Sequence, residues 1–335
     1  MKPLILSLDT SCYTTSCALV DAEGNAVVDL RSPLRVKPGE RGLRQAEAVF
    51  AHLTQLPDLL ESTLASTSAA FGGPAARVVA IAASTRPRPP LGSYLPVFRV
   101  GEGFGRTLAV AWRVPLVAVS HQEGHLAAGW EAGMPDRLLA LHVSGGTTEL
   151  MRLEAPCPWR ISSLGASLDL HAGQFLDRVG VAMGLPFPAG AELDAMAAGI
   201  TSGDGQGEGG PSLPVTVKGY CPSFAGPEAA AYRLLQAGVP FAQVARAALS
   251  CVAKALEKMI LQALEAGEPR EVLVVGGVAA SPGLRARLHH RLAHPAVGVR
   301  LYFPEPRLCT DNAVGVGRWA WHRLRADIKD LSGPA

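Results

Sequence analysis

The sequence lacks several features that would settle its class outright. Its six cysteines, Cys12, Cys17, Cys157, Cys221, Cys251 and Cys309, include no CxxC pair. That scatter argues against a zinc ribbon or a disulfide framework and suits free thiols in a reducing compartment. No apolar run approaches the ~20 residues that cross a bilayer. The opening MKPLILSLDTS carries a short apolar run that Asp9 interrupts too early for a secretory signal. It reads as the first strand of a cytoplasmic protein. Charge of one sign is also lacking, since 31 Lys and Arg face 29 Asp and Glu for a net +2. Such a balance does not announce a nucleic-acid binder, but it leaves room for a local basic face. Hydrophobic residues make up 48% and charged ones only 18%, which excludes a disordered chain. At 335 residues the chain exceeds one typical core and fits two lobes.

What is present is organised as a repeat. Residues 4–9 and 16–20 are apolar and are joined by the hydroxyl-rich residues 10–15. Residues 21–25 form a turn and 26–31 return as a third strand. Residues 139–143 and 149–153 repeat the plan around Ser-Gly-Gly-Thr-Thr at 144–148, about 130 residues later. Between the two hairpins the pattern predicts a helical region over 41–66, a strand over 77–83, an irregular stretch over 84–105, a helix over 106–113 and a strand over 114–120. Beyond them it predicts helices over 179–198, 228–236, 241–266, 282–292 and 313–327, with strands over 271–275 and 299–303. Residues 201–214 read as a Gly-rich exposed loop.

Chemistry concentrates in short stretches. His121-Gln122-Glu123-Gly124-His125 places two imidazoles one helical turn apart, so both can face one metal ion. An isolated pair is as often two surface histidines. At Ser144-Gly145-Gly146-Thr147-Thr148, two residues without Cβ atoms let backbone N–H groups approach a phosphate, and the hydroxyls add donors. Alone, Ser-Gly-Gly is an ordinary hairpin turn. Gly276 and Gly277 end a strand and open a helix, with Pro282 well suited to a first helical position. A lone Asp such as Asp177, Asp194 or Asp311 is more often a cap or an exposed charge than a functional group. Arg86 and Arg88, among prolines, offer a basic patch for RNA phosphates, although such a loop is more often a solvated turn.

Together these stretches resemble the TsaD family, which makes tRNA threonylcarbamoyladenosine and was once called O-sialoglycoprotein endopeptidase. His-x-Glu-Gly-His after a strand ending in Val looks like its metal motif. HVSGGTTEL resembles its phosphate loop V-S-G-G-H-T-x-L, with Thr147 in place of His. Asp9-Thr10-Ser11-Cys12 with Thr14-Thr15-Ser16 resembles E-T-S-C-D-E-T-S, with Asp9 keeping the carboxylate while Tyr13 and Thr14 replace two acids. Residues 167–178 resemble T-R-D-D-A-A-G-E-A-F-D-K, matching at Asp169, Gly173 and Asp177 and departing at Leu170 and Gln174. Residues 186–190 with Asp194 resemble L-P-Y-P-G-G-x-x-x-D. G-G-V-S-A-N is matched at Gly276 and Gly277 but has Ser281 for its Asn. Cys309-Thr310-Asp311-Asn312-Ala313 reproduces C-T-D-N-A.

The resemblance implies an α/β, two-lobed ribonuclease-H-like fold, the actin and sugar-kinase (ASKHA) architecture, with a cleft between the lobes. The lobes would span 1–134 and 135–315, each with a helical insertion, and a helix over 316–335 would pack on the first. It implies a threonylcarbamoyltransferase that moves its group from threonylcarbamoyl-AMP to the adenosine next to the anticodon in tRNA. Asp9 and Ser11 would be catalytic. One metal ion, iron or zinc, would sit on His121, His125 and Asp311. The adenylate (threonylcarbamoyl-AMP or ATP) would lie against Val143, Ser144, Gly145, Gly146, Thr147, Asp177, Gly190, Asp194, Gly276, Gly277 and Ser281. The implied partners are tRNA, a TsaB-like paralogue and a TsaE-like ATPase, in the cytoplasm and without a membrane. The departures at Tyr13, Thr14, Thr147, Leu170 and Ser281 all fall at the cleft. A catalytically degenerate, regulatory paralogue that keeps metal and nucleotide is therefore the first rival. A metallopeptidase is the weaker one, because Glu123 does not directly follow the first His as the zincin base does.

Overall fold

A computed structural model describes residues 2–37, 39–71, 76–90, 92–154, 159–199 and 210–331. Cys157 and most of the Gly-rich loop lie outside the described residues. In β1 (Lys2–Ser11) the residues from Leu4 onward are all buried, with alternate side chains on opposite faces. β2 (Thr14–Asp21) pairs antiparallel with β1, and β3 (Ala26–Pro33) with β2. After α1 (Gln45–Phe71), β4 (Ala76–Arg86) returns parallel to β1; after α2 (Phe98–Trp112), β5 (Leu116–Ser120) lies parallel to β4. The sheet order is β3-β2-β1-β4-β5. α3 (His121–Gly129) follows without a loop.

The second half repeats this plan. β6 (Arg137–Val143), β7 (Thr148–Glu154) and β8 (Arg160–Ala166) form an antiparallel meander. Next come α4 (Ala172–Ala182), α5 (Gly190–Ala198), the small hairpin β9 (Thr216–Lys218) and β10 (Cys221–Ser223), α6 (Ala225–Gln236) and α7 (Phe241–Glu265). β11 (Glu271–Val275) returns parallel to β6. A 3-10 turn (Gly277–Ala280), α8 (Pro282–Leu292), β12 (Arg300–Tyr302) parallel to β11, α9 (Pro306–Cys309) and α10 (Ala313–Leu331) complete the chain. The order β12-β11-β6-β7-β8 matches the first sheet strand for strand. The repeat seen in two hairpins thus extends to two whole sheets, and the fold is the α/β architecture expected.

Each sheet has an outer and an inner face. Leu4, Leu6 and Leu8 pack on Leu56 and Leu60 of α1 and on Val100 and Ala109 of α2. On the other face, Ile5 and Val20 pack with Ala127 of α3 and Val316 and Trp319 of α10. In the second sheet Leu139, Leu141 and Val143 pack toward α4 and α7, while Leu138 and Ala140 join Leu126 of α3. α3 therefore meets the inner faces of both sheets. α10 crosses it where Gly315 permits close approach, since a Cβ there would collide with the Gly124 carbonyl.

Four local expectations change. α2 begins at Phe98, not 106, because Gly101, Gly103 and Gly105 dilute its period, while Gly101 and Gly105 are buried in tight contact with β1, β4 and β5. The helix over 179–198 is two, α4 and α5, interrupted around Pro186 and Pro188. β8 and the β9–β10 hairpin were absent from the pattern, being largely exposed and polar. β5 starts at Leu116, after Pro115.

Candidate metal and nucleotide site

Ser120 ends β5 and caps α3. Its hydroxyl accepts the Glu123 N–H at 3.2 Å, and the Glu123 carboxylate accepts the Ser120 N–H at 2.6 Å, a capping box. His121 and His125 consequently share one face of the first turns, with ring centroids 4.5 Å apart. Glu123 is buried in the cap, with Arg86 3.8 Å from its Oε2. Its role is structural, which weakens the peptidase reading further.

Asp311 reaches this face from the far end of the chain. Asn312, not Asp311, caps α10: its Oδ1 accepts the Gly315 N–H at 2.9 Å, and its Nδ2 donates to the Leu308 and Thr310 carbonyls. The Asp311 carboxylate is left to face the histidines, 3.4 Å from His121 Nε2 and 3.5 Å from His125 Nε2. One donor atom from each of the three residues lies within 4.8 Å of the others. His125 Nδ1 has no hydrogen-bond partner. Two imidazoles and a carboxylate so gathered form a donor set that fits a divalent ion. Asp311 keeps 23% of its side chain exposed against 1% for His125, so the set opens on the carboxylate side.

Asp9 stands behind His121. Strand alternation puts it on the α3 face, with Oδ2 3.3 Å from His121 Nδ1. The Ser11 and Ser84 hydroxyls donate to its two oxygens. A carboxylate on the far nitrogen fixes a histidine's tautomer and orientation. Asp9 and Ser11, expected to be catalytic, are both fully buried, with the Ser11 hydroxyl on Asp9 and Asp9 beside His121. Burial opposes charge on His121, but Asp9 and Asp311 outweigh it and raise its pKa to about 10. Burial and then charged His121 lower His125. Burial would raise Asp311, yet hydrogen bonds from both histidines hold it far below the usual carboxylate range.

One neighbour of the set escaped the sequence reading. His142 lies on the inner face of β6, 1% exposed, its ring 4.8 Å from that of His125. Neither of its nitrogens has a hydrogen-bond partner among the described residues, and burial holds its pKa well below the ordinary value. The available signal was a lone imidazole in an otherwise apolar strand end. In the Arg86–Arg88 segment both arginines are partly exposed and each stands near a buried carboxylate. Arg88 Nε lies 3.9 Å from Glu149 Oε2, which also accepts from Gln122 at 2.8 Å.

The second hairpin supplies open surface. Ser144 closes its loop, donating its N–H to the Thr147 carbonyl at 2.7 Å and accepting the Thr147 N–H on its hydroxyl at 3.0 Å. Gly145 and Gly146 are exposed, and no described atom lies within 4 Å of where a Cβ on either would stand. Gly173 lets the N-terminus of α4 touch this loop, since a Cβ there would sit 2.6 Å from the Gly145 nitrogen. The Gly146 N–H donates to the Ser144 hydroxyl at 3.3 Å, and the positive end of a helix beside such an exposed loop suits a phosphate. Gly276, at φ +95°, passes beside Val143, whose carbonyl a Cβ would strike. Residues 143–147 and 276–277 therefore come together. Ser281 Oγ donates to Asp194 Oδ1 at 2.6 Å while capping α8 through the Leu284 N–H. Asp177 accepts the Ala189 N–H at 2.9 Å, and burial raises its carboxyl to about 6. Gly190 follows Ala189 with open space beside it.

The sequence profile described as TsaD, tRNA N6-adenosine threonylcarbamoyltransferase, matches residues 36–317. A Thermus thermophilus protein of that name is 33% identical over 323 residues, 95% of this chain and 92% of its own. One from Parasynechococcus marenigrum is 35% identical over 345 residues, 98% of this chain and 92% of its own. Among solved structures, HypF from T. kodakarensis superposes with a TM-score of 0.60 at 15% identity, over 97% of this chain and 48% of its own. The activator of 2-hydroxyisocaproyl-CoA dehydratase from Clostridium difficile, with bound ADPNP, gives 0.56 at 14% identity over 99% of both. At these identities the solved structures speak to the ASKHA fold alone.

Proposed function

Because this chain belongs to the TsaD family of tRNA N6-adenosine threonylcarbamoyltransferases, we propose that it transfers threonylcarbamoyl from threonylcarbamoyl-AMP to N6 of the adenosine next to the anticodon. The observation that carries this reading is one continuous arrangement. The His121–His125–Asp311 donor set lies against His142, and His142 leads directly into the open Ser144–Gly145–Gly146 loop.

In this reading the Gly145 and Gly146 N–H groups and the N-terminus of α4 hold the adenylate phosphate. Asp177, Gly190 and Asp194 take the ribose, and Val143, Gly276, Gly277 and Ser281 border the base. His121, His125 and Asp311 would hold one ion, which supplies positive charge to the acyl donor's oxygens. Both iron and zinc suit two imidazoles and a carboxylate, and metal analysis separates them. Asp9, held by Ser11 and Ser84, keeps His121 Nε2 turned to the set. As N6 bonds to the carbamoyl carbon, the bond from that carbon to the AMP oxygen breaks, N6 releases one proton to water, and the hairpin N–H groups stabilise the departing phosphate.

The proposed lobes are 1–134 and 135–315, with α10 packed on β1 and β2 of the first. A TsaB-like paralogue and a TsaE-like ATPase are the proposed partners, and the cytoplasm the proposed location. No described helix is long and apolar enough to cross a membrane. The decisive experiment gives the purified chain its two partners, threonylcarbamoyl-AMP and unmodified tRNA. Modified adenosine in the digested tRNA is expected. None, beside an active family member in the same buffer, would leave the regulatory paralogue as the better reading.

A further inference from the structure

Tyr13 stands where the family resemblance places an acid, and the structure gives it a different set of contacts. It forms the turn between β1 and β2 together with Cys12, whose φ is +30°. Its ring meets Phe187, just before α5, edge to face, with centroids 4.9 Å apart at 64°. An edge-on pair leaves one ring's faces unstacked by the other. The tyrosine is fixed from both ends. Its carbonyl accepts the Leu34 N–H at 2.8 Å, and its phenol oxygen lies against the backbone at Gly42. Gly42 makes room for that oxygen, which a Cβ there would strike. Burial raises the phenol pKa, with Cys12, Asp177 and Asp311 adding to it. Phe187 stands two residues before Ala189, whose N–H donates to Asp177, so the aromatic pair adjoins the residue proposed for the ribose.

The segment that holds Tyr13 is also basic. Arg35, Lys37, Arg41 and Arg44 are all exposed, and none forms an ion pair among the described residues. Glu40 and Glu47 are the acids of this stretch. A chain of net charge +2 thus gathers four unpaired cations beside an aromatic pair.

We propose that Tyr13, braced edge-on by Phe187, stacks the acceptor adenine of the RNA, and that Arg35, Lys37, Arg41 and Arg44 take the phosphates flanking it. The inference rests on the transfer reading above. Recognition of loop RNA works by splaying a base out and stacking it on aromatic rings, and chemistry on a base requires it out of its stack. Phosphate contacts add sequence-independent, salt-sensitive affinity. An acceptor held there lies at the turn that follows β1, the strand whose Asp9 meets His121 of the donor set.

The test measures binding of an anticodon stem-loop RNA to the full-length protein with its partners, by fluorescence anisotropy. A second RNA is abasic at the acceptor position. Stacking is worth ~1–3 kcal/mol per base, or roughly 5–150-fold. Wild type should lose roughly that factor on going to the abasic RNA, and Tyr13→Phe should lose it too. Tyr13→Ala should bind the intact RNA about as weakly as wild type binds the abasic one, and should not distinguish the two. Arg41→Glu with Arg44→Glu should weaken both RNAs alike and flatten the salt dependence. Unchanged AMP affinity in each variant reports an intact fold. A wild type that binds both RNAs equally, or a Tyr13→Ala that still distinguishes them, overturns the proposal. Transfer assays on the same samples keep the two readings apart. Base-dependent binding without transfer faults the transfer reading and leaves the stacking in place.

Discussion

β1–β2 and β6–β7 occupy the same place in two sheets of the same order, yet they direct their polar atoms differently. In the first hairpin Ser7, Asp9, Thr10, Ser11, Thr15 and Ser16 are fully buried. Their groups bond to one another, to backbone or to neighbouring helices, and the turn is closed by Tyr13 against Phe187. In the second, Ser144 satisfies the loop internally and leaves Gly145 and Gly146 facing open space. A duplicated frame has thus become one hairpin that positions and one that receives. On its inner face the first presents Asp9, fully engaged, and the second His142, with both nitrogens unpartnered.

The largest expected effect falls on the donor set that both hairpins adjoin. Asp311→Ala should take metal content from about one ion per chain to background and abolish transfer, as read by elemental analysis and modified-nucleoside assay. The next effect is a pH dependence. In the metal-free protein His121 is raised from 6.5 to about 10 by Asp9 and Asp311. Its stabilisation is fully present below the unfolded value and is lost as pH rises through the folded one. The urea midpoint in chelator should therefore fall between pH 7 and 10, and His121→Gln should flatten that fall. A smaller effect comes from the second hairpin. A buried imidazole without partners costs ~1–3 kcal/mol, so His142→Leu should raise the melting temperature of the metal-free protein. The smallest is at Ser281. Ser281→Ala should cost about 1 kcal/mol through the lost cap of α8, whereas Ser281→Asn keeps a cap and should tighten AMP binding by calorimetry.

Much of this was legible from residue pattern. Paired apolar runs around hydroxyl-rich turns located both hairpins, and the HxxxH spacing with C-T-D-N-A located the donor set. The unread parts share physical causes. Asp9's role depends on which strand face meets α3, which only tertiary packing decides. His142 is a single residue in a strand that reads as core. Asn312 took the capping role that a lone Asp311 would have been given. Glycines that let α2 pack closely also hid its period.

The contrast between the hairpins is tested most directly by measuring metal and AMP binding in parallel on Gly145→Val and Asp9→Asn. Gly145→Val should retain about one ion per chain and lose AMP binding, because bulk blocks the backbone approach. Asp9→Asn should weaken metal binding by roughly 10–100-fold and, at saturating metal, bind AMP as wild type does. AMP binding unharmed in Gly145→Val, or metal binding unharmed in Asp9→Asn, would contradict it.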